Sequence, residues 1–541
     1  MKKTWLLSGL FGVVAAIIYF ASMADYAFPG ESASLLAVWK GLEKVAVPEY
    51  PLMAVFAKAL GGGNLIAPIS GAIAVIALFH LVAAFVGWRV RGEQAKPQKE
   101  TLSLVAASAA ALVFMLSPGV RSAATHLEPR MFDLMWALLC LAVAIPFFRG
   151  AKGGGWLFPI VFGVMTAFGY TDSPLFLAFV PFFLATVTMV QVANGRKPYL
   201  ALFLYVVVAV LTAIFALAAF DVEMAEFLKR SAKEFGEYRT TPGWLFVMFF
   251  STVPFVTALF SSGKAFSEKP GLVQWLFHGA MTFVAILAVA TPLSPSSLME
   301  PYGITPVATS AFAACVVGYL LAYWWLNRVQ AVGLIAGGLL AFVAAVTVVW
   351  NLFAFDGQVG AFADQVARKI VSDLGNRHWL VTDGVLDSHL KLVAAEAGKD
   401  VKLISLARDL DEKYLAELGE VVKKEGVGGS KNGALQLSLT LGVLPFVQDW
   451  FASDPSVAKE VAIFGAPDLW LSAGLSPVPE FLFFGADESR QPDPDAWKEF
   501  NEILKVPKGW GSYSSRKESN PVTRLRYSLR RHIGFVTNNR G

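Results

Sequence analysis

Apolar residues along the first 355 positions come in runs of about 20, separated by short polar connections, and a run of that length crosses a bilayer as one helix. Eleven such spans are read, near 5 to 23, 64 to 88, 101 to 118, 131 to 148, 156 to 171, 174 to 193, 199 to 220, 243 to 261, 272 to 291, 305 to 326 and 331 to 355. Past Asp356 the pattern changes to short strand-like runs alternating with amphipathic stretches. Here the sequence predicts a helix over 361–374, a strand at Trp379–Thr382, a helix at Asp387–Ala397 capped by Asp387, and a strand at Val401–Leu406. Helices over 411–425 and 433–451 follow, then strands near 461–464 and 480–484. That is a βαβ rhythm.

The expected fold class is therefore a polytopic α-helical membrane protein of about eleven transmembrane helices with a C-terminal soluble α/β domain. Its parts are a membrane domain at 1–355, an α/β domain at 356–506, and at 507–541 a polar linker followed by a basic helix. Pro521 opens that helix, which bears Arg524, Arg526, Arg530 and Arg531 and is read as a solvated face. The closing residues Asn538–Gly541 read as an inter-helix turn, which leaves room for a longer parent chain. The glycine-rich stretch 426–433 lacks the Gly-Lys-Ser/Thr ending of a phosphate-cradling loop and is read as a plain loop.

Composition supports the membrane assignment. Hydrophobic residues make up 55% and charged residues only 16% of the chain, where a soluble globular chain carries roughly 25% charged; mean hydropathy is +0.55. Basic residues fall in alternate loops, from Lys2 and Lys3 through Arg89, Arg91, Arg149, Arg196 and Lys264 to Arg328. Because Lys and Arg are retained on the cytoplasmic side, this places the N-terminus inside and the region after Phe355 outside. Reading Met1–Ala24 as a cleaved secretion signal is the alternative, but its apolar stretch is long for a signal core. Cys140 and Cys315 lie inside spans and read as small buried hydrophobes. A net charge of +4 with no basic stripe among aromatics gives no nucleic-acid signature.

Ionisable residues inside spans are costly and usually mark a pathway. The span interiors read as clean apart from His80 and His278, each expected to be a contact between helices. Charges gather instead on the outer side, at Asp25, Glu31, Glu43 and Glu49 in the first loop, at Arg121, His126, Glu128 and Arg130 between the third and fourth spans, and at Asp172. The stretch 221–239 mixes charges at helical spacing and reads either as an amphipathic helix on the membrane surface or as a solvated connector. Each acid also has a plain structural reading: Asp25 keeps a span boundary wet, Glu128 and Arg130 form a surface ion pair, and Asp383 and Asp387 serve a turn and a helix cap. His126 beside one Glu is too little for a metal site, and no metal ligand is assigned.

Pro48-Glu49-Tyr50-Pro51-Leu52, with Asp25 and Glu31 ahead of it, Glu128 after the third span and Gly169-Tyr170-Thr171-Asp172 at the fifth, resembles a bacterial membrane-protein family related to the protein O-mannosyltransferases. That family lies within the GT-C class of glycosyltransferases, and Trp379–Gly384 extends the resemblance into the soluble domain. The chain departs from it in carrying Phe28 where relatives have an aspartate and Glu49 where they have a glycine. The resemblance implies a GT-C-like fold and inverting transfer of a sugar from a polyprenyl-phosphate carrier to a protein or glycan hydroxyl on the extracytoplasmic face. A carboxylate, Asp25 or Glu31, would act as general base with Glu128 assisting. Glu49, Tyr50, Arg121, His126, Arg130, Tyr170 and Asp172 would line the substrate site, with Arg121 and Arg130 for the lipid phosphate. No cofactor is implied beyond room for a divalent metal; the partners are the lipid-linked sugar, its acceptor and membrane lipid, and the setting is a bacterial inner membrane. A non-catalytic membrane scaffold with a partner-binding outer domain is the main rival. A lipid or glycan transporter comes third, disfavoured because no internal repeat is visible.

Overall fold

The computed structural model describes residues 2–43, 49–60, 63–89, 98–148, 156–173, 176, 179–239, 272–289, 307–354, 360–429, 432–454, 456–465, 467–480, 482–486 and 521–538. The expected span at 243–261, the linker at 507–520 and Pro48 lie outside them. By packing, the described residues fall into two compact units, one drawn from Met1–Asp25 and Val45–Gly357, the other from Tyr26–Lys44, Gln358–Pro507 and Pro521–Gly541.

The first unit is helical. Among the described residues, six of its helices are long and apolar enough to cross a membrane: Lys2–Ala21, Ile66–Gly87, Pro129–Phe147, Tyr199–Ala219, Val307–Leu326 and Ala331–Leu352. Lys99–Met115, Leu157–Asp172, Val180–Ala193 and Leu272–Val289 are shorter. Tyr199–Ala219 turns Phe203, Val210, Leu211 and Phe215 outward, as a helix does when its surroundings are hydrocarbon and not water. Where helices meet, small residues let them close: a Cβ on Gly318 would stand 2.6 Å from the Ala106 carbonyl oxygen. His80 bonds Ser8 at 3.0 Å and His278 bonds Tyr319 at 2.9 Å, so both histidines join neighbouring helices. The span interiors are not clean of acids, however. Asp133 sits in the first turns of Pro129–Phe148, buried. Two short helices fall where the sequence suggests only loops, Pro51–Ala59 and Pro118–Ala123, each started by a proline that needs no N–H partner there. The stretch after Asp221 forms the helix Met224–Arg239.

The second unit holds a five-stranded sheet: β1 (Trp379–Thr382), β2 (Lys402–Ser405), β3 (Val461–Phe464), β4 (Val478–Glu480) and β5 (Phe483–Gly485), in the order β2-β1-β3-β5-β4. β1 pairs in parallel with β2 and β3, while β5 runs antiparallel to both β3 and β4. The single strand expected near 480–484 is thus a hairpin of two. The helix expected over 433–451 is broken into Asn432–Leu441 and Val443–Ser453, because Gly442 takes φ +140, a conformation no L side chain adopts readily. Asp387 is not a cap: Leu386 holds that position, and the Asp387 carboxylate accepts from the Thr382 hydroxyl. The core is aromatic, with Trp379, Trp450, Phe451 and Trp470 buried together. Arg377 and Glu480 form a buried bidentate pair that pins the hairpin beside β1, one bond at 2.9 Å.

Candidate functional site

The first and third loops of the membrane unit are sewn together by backbone. Ala24 N–H donates to the Thr125 carbonyl at 2.7 Å, and Asn64 Nδ2 donates to the Ala24 carbonyl at 3.3 Å. Asp25, exposed, is the next residue along one strand of this contact, and His126 the next along the other. Sequence distance between the two loops is thereby erased, and Asp25 and Glu128 are carried on the same backbone junction.

His126 is buried, and its Nε2 stands 3.9 Å from Glu128 Oε2. Burial pulls the imidazole down to about 3, so it is neutral at physiological pH and the contact is not an ion pair. The charge partner of Glu128 is Arg130, whose Nη1 and backbone N–H both approach Oε1, at 3.3 and 3.4 Å. Both side chains are partly sheltered, 12% and 22% exposed.

About one turn further along, Asp133 joins this cluster, with Glu128, Arg130 and Asp172 all close enough for their charges to act on it and the Ser173 side chain beside it. Asp172 ends the Leu157–Asp172 helix and reaches across to a different one. Its Oδ1 accepts the N–H groups of Leu52 at 2.7 Å and Met53 at 3.2 Å. These are first-turn donors of Pro51–Ala59 that no intrahelical carbonyl can satisfy, and the carboxylate also meets the positive end of that helix. The other oxygen, Oδ2, is buried without a hydrogen bond among the described residues. Immediately before the capped helix, Tyr50 takes φ +52, unusual for a bulky residue, and the Arg230 guanidinium lies 5.8 Å from its ring centroid. The charge of Arg230 also acts on Asp172. Thus Glu128, Arg130, Asp133, Asp172, Tyr50 and Arg230 form one connected group of acids, cations and an aromatic ring.

The remaining expected site residues go elsewhere. Arg121 is buried and its Nη1 donates to the carbonyls of Asn351 and Leu352, satisfying the C-terminal end of Ala331–Ala354. Tyr170 packs among Phe176 and Phe183 and bonds the Tyr205 hydroxyl at 3.0 Å. Glu49 is exposed just ahead of Tyr50. Glu31 is exposed at the first position of the Glu31–Trp39 helix and belongs to the second unit. Glu43, grouped with the outer acids in the sequence, makes a 2.6 Å ion pair with Lys391 there.

Sequence reasoning missed Asp133 and Arg230. Asp133 was visible as the single charge between Met131 and Phe148; Arg230 carries no such signal within its mixed-charge helix. No group of three or more His, Cys, Asp or Glu side chains among the described residues is placed to hold a metal ion. Chemically, the cluster offers carboxylates that can take a proton from a hydroxyl and guanidinium groups that can face a phosphate. No protein-family model matches the chain, and no curated protein matches it.

Proposed function

We propose that this protein is a membrane glycosyltransferase of the GT-C type that moves a sugar from a polyprenyl-phosphate carrier to an acceptor hydroxyl outside the cytoplasm. One observation carries the reading: Glu128, Asp133 and Asp172, from separate loops and helix ends, act on one another with Arg130 and Arg230 among them, and Asp25 directly follows the residue whose backbone bonds Thr125, three positions before Glu128. In this reading eleven spans anchor the chain in a bacterial inner membrane with the N-terminus cytoplasmic, and the C-terminal α/β domain is extracytoplasmic and helps bind the acceptor.

The acceptor oxygen attacks the anomeric carbon while a carboxylate removes its proton; the glycosidic bond to the lipid phosphate breaks, and the phosphate leaves with the bonding pair. Asp25, on the same backbone junction as Glu128, is the base with Glu128 assisting; Glu31, the alternative expected from the sequence, lies in the second unit. Arg130 rather than Arg121 faces the departing phosphate, since Arg121 is engaged at a helix end. A buried acid is normally kept where it does chemistry or contributes to structure.

The scaffold reading draws on Glu43 and Arg121, both of which serve structure. The two readings separate on one experiment. Purified protein is incubated with a panel of polyprenyl-phosphate sugars, with and without divalent metal, alongside Asp25→Asn, Glu31→Gln and Glu128→Gln. Transfer by the wild type that is abolished in Asp25→Asn or Glu31→Gln supports the enzyme. Full activity in both single variants and in their double removes the mechanism, and dispensable acids with an indispensable second unit favour the scaffold.

A further inference from the structure

Tyr26–Lys44 leave the membrane unit after Asp25 and rejoin it at Val45, yet they pack as part of the second unit. Several contacts hold them there. The Tyr26 hydroxyl accepts the Gly360 N–H at 3.0 Å, and a Cβ at Gly360 would stand 2.7 Å from Pro29, so glycine admits the approach. His389 Nε2 lies 3.1 Å from the Ala27 carbonyl oxygen, buried. A carbonyl only accepts, so the ring donates from Nε2. Lys391 pairs with Glu43 at 2.6 Å, and Glu396 receives both Lys40 at 3.4 Å and Arg368 at 2.8 Å.

The consequence concerns Asp25. Ala24, one residue before it, is bonded to Thr125 within the membrane unit; Tyr26, one residue after it, is bonded to Gly360 within the second. A free connection of this length would sample many conformations, and fixing each backbone residue costs entropy. Here that ordering is supplied by the second unit.

We propose that Gly360, His389 and Lys391 form a clamp within the second unit that holds Tyr26, Ala27 and Glu43, and thereby orders the segment that begins one residue after Asp25 and carries Glu31. The consequence for catalysis rests on the sugar-transfer reading; the clamp itself does not. Gly360, His389 and Lys391 are positioning residues, acting through the first loop.

The test uses the full-length protein with Glu43→Lys, Lys391→Glu and the exchanged pair of both. Two readouts are taken: amide hydrogen exchange over residues 26–44, and transfer kinetics resolved into kcat and KM for the lipid-linked sugar. Each single variant places like charges together and is expected to speed exchange in 26–44 about tenfold, and to lower kcat with KM unchanged. The double variant restores both, which mere loss of folding would not do. Should a charge reversal fail to accumulate, Tyr26→Phe removes only the hydroxyl that holds Gly360 and is read the same way. Unchanged exchange in the single variants, or no recovery in the double, overturns the clamp. Recovery of exchange with no transfer by any protein, wild type included, supports the clamp and overturns the sugar-transfer reading alone.

Discussion

Burial pulls the His389 imidazole from its ordinary 6.5 down to about 4, and this decides how the first-loop segment answers to pH. In the unfolded chain the ring takes up a proton as pH falls below 6.5; in the folded chain it does so only near 4. The unfolded state therefore binds more protons across this window, and stability falls as the medium acidifies. The contribution is complete above pH 6.5 and gone by about 4, roughly 3 kcal/mol in all. Hydrogen exchange over 26–44, corrected for its intrinsic pH dependence, is expected to quicken through that window. His389→Gln keeps a donor for the Ala27 carbonyl without a titration and should flatten the response; an unaltered slope would remove His389 as its cause. Other residues show why partners so far apart escape a sequence reading. Arg121 and Glu43 are charges beside spans, like Arg130 and Glu128, and nothing local distinguishes them. Their partners lie 230 and 348 positions away, so only the fold reveals that they serve structure. Asp133 is the opposite case. It was legible, but a span of about 20 residues slides by a few positions on an apolar background, and an acid near its end is easily absorbed into the boundary.

Among the elements, the Pro51–Ala59 helix depends on a residue from another helix. Its cap residue, Tyr50, makes no side-chain cap bond, and Asp172 supplies one in its place. Losing an N-terminal cap costs about 0.5–2 kcal/mol. Asp172→Ala is expected to speed exchange in residues 51–59 accordingly, while Asp172→Asn keeps an acceptor oxygen and most of the protection. Equal exchange in wild type and Asp172→Ala would show that the helix is held by packing alone. Legibility of elements follows the same physics. β1 and β3 were read at their observed limits because dense apolar, branched runs of four residues between polar turns have few other solutions. Pro51–Ala59 and Glu31–Trp39, nine residues each, are too short to show a period above noise. They exist because tertiary partners finish what propensity cannot.

For the whole molecule, the second unit imposes a constraint that no single helix shows. It is assembled from Tyr26–Lys44 and from residues beyond Gln358, and none of the six candidate spans belongs to it. Both segments must therefore lie on the same side of the bilayer, and the chain must cross an even number of times between Lys44 and Gln358. Five of the long apolar helices lie in that interval, from Ile66–Gly87 to Ala331–Leu352. If all five cross, the parity calls for an odd number of further crossings, for which the shorter apolar helices Leu157–Asp172, Phe182–Val192 and Gln274–Val289 are candidates. A tilted or locally thinned bilayer accommodates a helix as short as Leu157–Asp172 at modest cost. The ten spans read from the sequence between these points satisfy the same parity. On the topology proposed above, which the positive-inside pattern of the sequence supports, Lys2 and Lys3 are expected inside and Lys40 and Leu410 outside. With Cys140 and Cys315 replaced, single cysteines at Lys40 and Leu410, both exposed, are expected to react from outside intact cells with a maleimide that cannot permeate. A cysteine at Lys3 should react only after permeabilisation. Labelling of Lys40 and Leu410 from opposite sides would mean that the two segments never meet, and would dissolve the second unit along with the parity argument built on it.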